Sequence, residues 1–230
     1  RPLSEPELNA YRALTAKRAK GEPVAYLVGH KEFMGLDFVV TPAVLVPNPD
    51  TEVLVQRAVE LAREAGRPLR VADVGTGSGC IAIAIAHYAP NVEAVASDVA
   101  QDALEVAEQN VAAHGLGDRV KLVCGDLMDP FTGSFDIVCA NLPYLAAGTQ
   151  LAPEVVAQPA RALYAGEKGS AFVTRLLDEA PQRLNTGGRI LAELDPAIVA
   201  TAVAAANQHY AGLRIHRDLG GHERVLEAWS

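Results

Sequence analysis

The sequence predicts a doubly wound α/β domain in which helices cover both faces of a mostly parallel, seven-stranded sheet. From about Leu69 onward, short β-rich apolar runs alternate with helical patterns, which is typical of a parallel sheet covered on both sides. The last two apolar runs, at residues 213–216 and 224–229, are separated only by a short stretch around Gly220 and Gly221. No crossover helix fits there, so these two strands should pair antiparallel.

The apolar periodicity places each element along the chain. Before the sheet it predicts a helix at residues 4–20, a hairpin at 32–40 that turns at Gly35, and an amphipathic helix at 49–64 with Asp50 and Glu52 in its first turn. We expect residues 21–66 to form a hairpin and lid helix, and residues 67–230 to form the main domain. In that domain the predicted strands are 69–74, 92–97, 119–124, 135–140 and 188–194, and the predicted helices are 78–88, 101–114, 168–184 and 196–209.

Composition limits the classes of function. With 230 residues, half of them hydrophobic, the chain can close one sizeable core, and its net charge of −8 argues against broad electrostatic capture of nucleic acid. The apolar stretches are far shorter than the roughly 20 residues that cross a bilayer, so we expect a soluble cytoplasmic protein without membrane association.

Three cysteines, Cys80, Cys124 and Cys139, lie in apolar runs and are expected to be buried free thiols. The histidines show no metal-ligand spacing, so no metal is expected.

A glycine-rich turn joins the first strand of the main domain to the next helix. Residues 75–79 read Gly75-Thr76-Gly77-Ser78-Gly79. Glycines at such a turn let the backbone approach a ligand closely, and the helix N-terminus presents free N–H groups. The spacing is shorter than the pattern that holds a pyrophosphate, which disfavours a nicotinamide dehydrogenase. The turn predicts a nucleotide-like cofactor; a tight turn without a ligand is the alternative.

Three acidic residues lie at consecutive strand ends. Asp73 ends the first strand, and Asp98 ends the second about 20 residues after Gly79, the offset at which a carboxylate binds ribose hydroxyls. Asp126 follows the third strand, where it could accept a hydrogen bond from an adenine amino group while Leu127 packs near the ring. Each aspartate alone could equally be a helix cap or turn former. All three in register with a glycine turn indicate an adenosine-containing cofactor.

The fourth strand ends in Asn141-Leu142-Pro143-Tyr144, the most specific feature of the sequence. The Asn141 side-chain carbonyl and the Leu142 backbone carbonyl can accept both N–H bonds of a substrate NH₂ group. Pro143 stiffens the turn, and Tyr144 offers a ring for stacking. This tetrapeptide resembles the Asn-Pro-Pro-Tyr motif of methyltransferases that act on planar nitrogens. Such a site works by positioning and electrostatics and needs no strong general base.

Two further stretches, residues 21–36 and 44–52, resemble the linker, hairpin and lid of HemK-type glutamine-N5 methyltransferases. With the glycine turn, the Asn141 motif and residues 218–228, the resemblance covers nearly the whole chain. It implies a Rossmann-like class I methyltransferase fold, S-adenosylmethionine as cofactor with S-adenosylhomocysteine as product, and the glutamine of the Gly-Gly-Gln motif of class 1 peptide chain release factors as substrate. It also implies a preceding helical domain, of which residues 1–20 would be a remnant. The start at Arg1-Pro2, without Met, fits that expectation.

The sequence departs from the family pattern at three places. Leu142 replaces the first proline of the motif, Asn48 replaces an arginine of the lid, and Arg161 is shifted by one position from the family's Glu-Pro-Arg stretch. A backbone carbonyl is supplied by either residue at position 142, so the hydrogen-bond role survives. The other two changes bear on recognition of the release factor more than on methyl transfer.

Two other functions remain open at this stage. An adenine-N6 methyltransferase acting on RNA or DNA would meet the same NH₂ geometry, but it would flip a base and needs a basic surface. A non-catalytic S-adenosylmethionine-binding module would bind the cofactor and methylate nothing.

Overall fold

The computed structural model describes residues 1–230. Ahead of the main sheet it has a small helical and hairpin region, whose elements are α1 (Glu5–Ala19), α2 (Val24–Val28), β1 (His30–Phe33), β2 (Leu36–Val39) and, after a 3₁₀ turn at Pro49–Thr51, α3 (Glu52–Ala65). The predicted helix, the hairpin turning at Gly35 and the amphipathic helix are confirmed, and the short α2 was not predicted. No residue of α1 is buried, whereas α3 buries one apolar face.

The main sheet has seven strands in the order β5-β4-β3-β6-β7-β9-β8. The strands from β3 to β7 run parallel, and β9 pairs antiparallel with both β7 and β8. The predicted fold class, with its antiparallel C-terminal hairpin, is therefore confirmed. The strands are β3 (Leu69–Val74), β4 (Val92–Asp98), β5 (Val120–Cys124), β6 (Phe135–Ala140), β7 (Leu184–Glu193), β8 (Gly212–Arg217) and β9 (Glu223–Trp229).

Helices cover both faces of this sheet. The helices after α3 are α4 (Cys80–Tyr88), α5 (Gln101–Ala113), α6 (Pro153–Val156), α7 (Ala171–Glu179) and α8 (Val199–His209). Helices α3 and α4 pack with one face of the sheet in a single apolar cluster, and α7 and α8 pack with the other. The strand order reverses between β3 and β6, so the carboxyl ends of these central strands border a crevice of the kind in which α/β proteins bind ligands.

Several element boundaries differ from the prediction. The predicted helix at 168–184 is α-helical only to Glu179 and continues as a 3₁₀ turn over Ala180–Arg183. Pro181 lies in this turn and lacks the N–H that an α-helix would need there. Strand β7 consequently starts at Leu184, four residues earlier than predicted.

The expectation that all three cysteines are buried is wrong for one of them. Cys80 and Cys139 are buried, but Cys124 is exposed. Cys124 ends β5, the strand at one edge of the sheet, which pairs only with β4. An edge strand has a neighbour on one side alone, so its terminal side chain stays in contact with solvent. Among the helices, none is long and apolar enough to cross a membrane.

Candidate active site

A cleft opens at the carboxyl ends of β3, β4 and β6. Its walls come from the glycine turn, the ends of β4, β5 and β6, residues 43–48, which we call the lid loop, and residues 141–170, which we call the β6–α7 loop. The cleft thus gathers most of the residues that the sequence marked as functional.

The glycine turn forms the floor of the cleft. Gly75 and Gly77 have φ angles of 73° and 55°, in the left-handed region that favours glycine. A Cβ atom on Gly75 would lie 2.9 Å from Cδ2 of Leu142, so a larger residue here would also have to displace the Leu142 side chain. Thr76 and Ser78 also line the cleft, whereas Gly79 does not: it precedes α4 and lies against Ile83.

Asp73 lies beneath this turn and is fully buried. Its Oδ2 accepts hydrogen bonds from the Thr76 hydroxyl (2.6 Å) and from the backbone N–H of Ala82 (3.1 Å). Burial raises the pKa of Asp73 to about 6, against the opposing effect of these two hydrogen bonds. Asp73 does not line the cleft, so its position is that of a support for the turn.

Asp98 lines the cleft from the end of β4. Its two carboxylate oxygens accept hydrogen bonds from the backbone N–H groups of Gly77 and Ala100, each at 2.9 Å. A carboxylate has about four lone-pair sites, so Asp98 keeps acceptor capacity for a ligand. The first of these bonds also joins the end of β4 to the glycine turn.

Asp126 and Leu127 follow β5 and line the same cleft. Asp126 is exposed, and one of its oxygens accepts a hydrogen bond from Arg175 at 3.0 Å. Leu127 is buried and has a φ angle of 40°, which is rare for a branched side chain. A strained residue of this kind persists only where its surroundings hold it, and such residues concentrate at ligand sites.

The Asn141 motif forms the wall opposite Asp98. The Asn141 side-chain amide donates a hydrogen bond to Thr51 Oγ1 at 3.0 Å, and its oxygen accepts none from the protein. Leu142 and Pro143 line the cleft. Tyr144 lies outside the lining, packed against the apolar cluster of α7 and α8, and burial raises the pKa of its hydroxyl above the usual value.

Family models match two parts of this chain: the methyltransferase small domain at residues 48–169 and the PrmC N-terminal domain at residues 1–29. Curated relatives agree with them. The release factor glutamine methyltransferase of Rhodopirellula baltica is 40% identical, with 94% of this chain and 77% of that protein covered. The protein of the same name from Bordetella pertussis is 41% identical, with 97% and 84% covered.

The chain belongs to the release factor glutamine methyltransferase family. The predicted family is therefore confirmed, and with it the class of enzyme, an S-adenosylmethionine-dependent methyltransferase.

Solved structures support the fold of this family member. A methyltransferase from Pyrococcus furiosus matches with a TM-score of 0.67 at 19% identity, covering 94% of this chain and 96% of that one. The Thermus thermophilus 16S rRNA N2 methyltransferase, solved with AdoMet and guanosine, matches with a TM-score of 0.65 at 17% identity, covering 87% and 49%. At these identities the likeness concerns the fold alone.

Two of the departures from the family pattern, Asn48 in the lid loop and Arg161 in the β6–α7 loop, have local roles. Asn48 accepts a hydrogen bond from the backbone N–H of Asp50 at 3.2 Å and so caps the turn before α3. Arg161 lines the cleft, pairs with the Asp102 carboxylate at 2.6 Å and donates to the Ala43 carbonyl at 2.9 Å. Arg161 therefore ties the β6–α7 loop to the lid loop and to α5.

Sequence reasoning missed two residues next to the motif. Thr51, the partner of Asn141, is buried at the start of α3, and nothing in its local sequence distinguishes it. Glu193 is the last residue of β7 and is only 2% exposed, with no hydrogen bond to either carboxylate oxygen. Glu193, like Asp98, is an acidic residue at the end of a predicted strand. The same signal, applied to the fifth strand of the domain, predicts Glu193 as a site residue.

Proposed function

We propose that this chain transfers a methyl group from S-adenosylmethionine to the side-chain amide nitrogen of the glutamine in the Gly-Gly-Gln motif of a class 1 peptide chain release factor. One observation carries the proposal. The Asn141 amide N–H is used by Thr51, which leaves the amide oxygen without a protein partner beside the cleft. Leu142 adds a backbone carbonyl that likewise accepts no hydrogen bond within the protein. Two free acceptors on adjacent residues match the two N–H bonds of a primary amide.

The residues of the cleft fit S-adenosylmethionine. Gly75 and Gly77 leave room for close approach of a ligand, and Asp98 offers free lone pairs to ribose hydroxyls. Asp126 and the strained Leu127 border the place proposed for the adenine ring. When bound, S-adenosylmethionine supplies a methyl group on a positively charged sulfur.

The protein's part in the reaction is to hold the acceptor nitrogen. An amide nitrogen is a poor nucleophile because its lone pair is delocalised into the carbonyl group. When Asn141 and Leu142 accept hydrogen bonds from the two N–H groups of the amide, more electron density stays on the nitrogen. The same two hydrogen bonds fix the direction from which the nitrogen attacks. Pro143 limits the freedom of this turn, and Tyr144 is proposed to support the substrate plane beside it. In the product the nitrogen carries a methyl group in place of one proton, which is released to solvent water, and S-adenosylhomocysteine is the co-product.

The proposed substrate places this reaction in the cytoplasm, with a protein partner and no role for nucleic acid. The net charge of −8 supports a protein substrate, since an enzyme that flips bases needs a basic surface. No group of three or more His, Cys, Asp or Glu side chains is arranged to hold a metal ion.

Incubation with methyl-labelled S-adenosylmethionine and a class 1 release factor tests the proposal. The matched control is the same factor with the glutamine of its Gly-Gly-Gln motif changed to alanine. We expect label on the unaltered factor and none on the control. Equal labelling of both factors, or labelling of structured RNA or DNA in place of either, would reject the glutamine assignment. Cofactor binding without label on any substrate would instead identify a binding module.

A further inference from the structure

Glu193 is a buried carboxyl group that the proposed reaction does not yet use. It follows Ala192, which pairs with Ala140 of the adjacent parallel strand, so Glu193 and Asn141 are neighbours at the carboxyl ends of β7 and β6. Their side chains lie on the face of the sheet that α3 and α4 cover. Leaving a buried carboxyl group without hydrogen bonds costs free energy, and such groups are rare unless they serve a function.

Thr51 lies between these two residues. Its oxygen accepts the hydrogen bond from the Asn141 amide at 3.0 Å, and its hydroxyl still has one proton to donate. No group in the protein accepts that proton in a hydrogen bond of ordinary geometry, and both carboxylate oxygens of Glu193 also lack a partner. Among the groups that stabilise the ionised form of Glu193, the Thr51 hydroxyl has the largest effect. A shift of either side chain would complete the hydrogen bond between them.

We infer that Glu193 is a positioning residue for the acceptor site. The Glu193 carboxylate accepts a hydrogen bond from the Thr51 hydroxyl. The Thr51 oxygen is thereby oriented to accept a hydrogen bond from the Asn141 amide N–H. The Asn141 amide oxygen then faces the substrate. We call this arrangement the Asn141–Thr51–Glu193 relay. Its role in catalysis rests on the proposed function, whereas the hydrogen-bond relay itself does not.

The protonation state of Glu193 determines which groups donate and which groups accept the hydrogen bonds of the relay. A protonated carboxyl can donate its own proton to the Thr51 oxygen, and the Thr51 hydroxyl proton is then free to turn toward Asn141, where it favours the flipped amide whose oxygen accepts it. A charged carboxylate can only accept, which enforces the productive orientation. The acceptor site therefore becomes ordered as Glu193 loses its proton.

The surroundings place this ionisation in the neutral range. Burial raises the pKa of Glu193 to about 7, opposed by the Thr51 hydroxyl and by the positive charge of Arg224 on β9. The charge of Asp50, at the start of the lid helix, raises it further. Tyr144 and the Cys80 thiol also face the carboxyl group, and both stay neutral because burial raises their pKa values.

The side-chain NH₂ resonance of Asn141 reports the relay without any substrate. In ¹⁵N spectra of the protein, with the resonance assigned by its loss in Asn141→Ala, we expect a titration with a midpoint near pH 7. Glu193→Gln and Thr51→Val should abolish the titration, and Thr51→Ser, which keeps the hydroxyl, should retain it. Glu93→Gln, at an exposed position of β4, is the matched control and should titrate like the unaltered protein. A pH-invariant Asn141 resonance, or a titration that persists in Glu193→Gln, overturns the inference.

Methylation of the release factor tests the consequence for catalysis. At saturating substrates, kcat of the unaltered enzyme should rise about tenfold between pH 6 and pH 8, as the ionised fraction of a group with a pKa near 7 does. Glu193→Gln should lower kcat at pH 8 and remove this rise while leaving cofactor affinity unchanged. A rise that is the same in Glu193→Gln contradicts the positioning role. If the Asn141 resonance titrates but no factor is methylated, the relay stands and the proposed function fails.

Discussion

The two walls of the cleft are built by different means. On the side proposed for the cofactor, the wall consists of backbone groups that follow β3. The glycines there have positive φ angles, and the Asp98 carboxylate at the end of β4 accepts a hydrogen bond from the N–H of Gly77. On the acceptor side, β6 presents the Asn141 side chain, whose orientation is set by Thr51 from another element of the fold. A wall made of backbone groups is determined by a short local motif. A wall made of side chains depends on hydrogen-bond partners that come from distant parts of the chain. Substitutions on the two sides should therefore affect different kinetic constants.

The largest effect is expected from Asn141→Ala, which removes one of the two acceptors for the substrate amide. Loss of one such positioned group costs about 10²- to 10³-fold in kcat. Because Asn141 borders the acceptor side, the dissociation constant of S-adenosylmethionine should change little. Single-turnover methylation and calorimetric titration of the cofactor measure the two quantities. A variant that loses cofactor affinity in proportion to kcat would show that the two walls are not separable.

Glu193→Gln should change how stability depends on pH. The pKa of Glu193 is raised from its usual value of 4.5 to about 7, so the native state binds this proton more tightly than the unfolded chain does. The stability contributed by Glu193 is therefore greatest below pH 4.5 and falls as pH rises to 7. Relative to the unaltered protein, Glu193→Gln should gain up to about 3 kcal/mol in the free energy of unfolding between pH 4.5 and pH 8. Urea unfolding at both pH values measures it; a difference that does not change with pH would show an unperturbed carboxyl group.

On the cofactor side, Asp98→Asn should raise the dissociation constant of S-adenosylmethionine about 10- to 100-fold. The expected cause is the loss of charge-assisted hydrogen bonds, each worth about 1.5–3 kcal/mol. At saturating cofactor, kcat should stay within a few-fold of the unaltered value. Glu105→Gln, at an exposed position of α5, is the matched control for a change of charge on a neighbouring element. Equal effects of the two variants on cofactor affinity would mean that Asp98 acts through general electrostatics.

The smallest effect is expected from Arg161→Ala. The Arg161 and Asp102 side chains are about half exposed, and ion pairs of this kind contribute about 0.2–1 kcal/mol. Removing the pair loosens the tie between the β6–α7 loop and the lid loop, so cofactor dissociation should become a few-fold faster. Stopped-flow displacement of the cofactor measures that rate. An effect larger than that of Asp98→Asn would make this loop, rather than the strand ends, the main determinant of cofactor binding.

The fold, and most of the residues that line the side of the cleft proposed for the cofactor, could be predicted from the sequence, because both rest on local patterns. Apolar periodicity gave the strands, and a five-residue turn gave the floor of the cleft. Tertiary position could not be predicted in the same way. The pattern of strand-end acids predicts Asp73 as a cofactor ligand, and the structure places this side chain beneath the turn, outside the lining of the cleft. Tyr144 likewise packs beside the cleft rather than within its lining.

The acceptor side depends on contacts that no local pattern reveals. Thr51 and Asn141 are 90 positions apart in the chain, and they meet only because α3 packs against the ends of β6 and β7. A threonine near a helix start is most often a capping residue, so nothing in the sequence connects it with the motif. The same holds for Gln158, whose side chain accepts a hydrogen bond from the backbone N–H of Val46.

The ion pair between Arg161 and Asp102, at the edge of the cleft, also determines how the cleft responds to ionic strength. Both side chains are about half exposed. Dissolved salt screens such pairs within a Debye length of about 8 Å at physiological concentration, whereas contacts among buried groups such as Thr51 are screened much less. Added salt therefore loosens the outer rim of the cleft while the acceptor wall keeps its geometry.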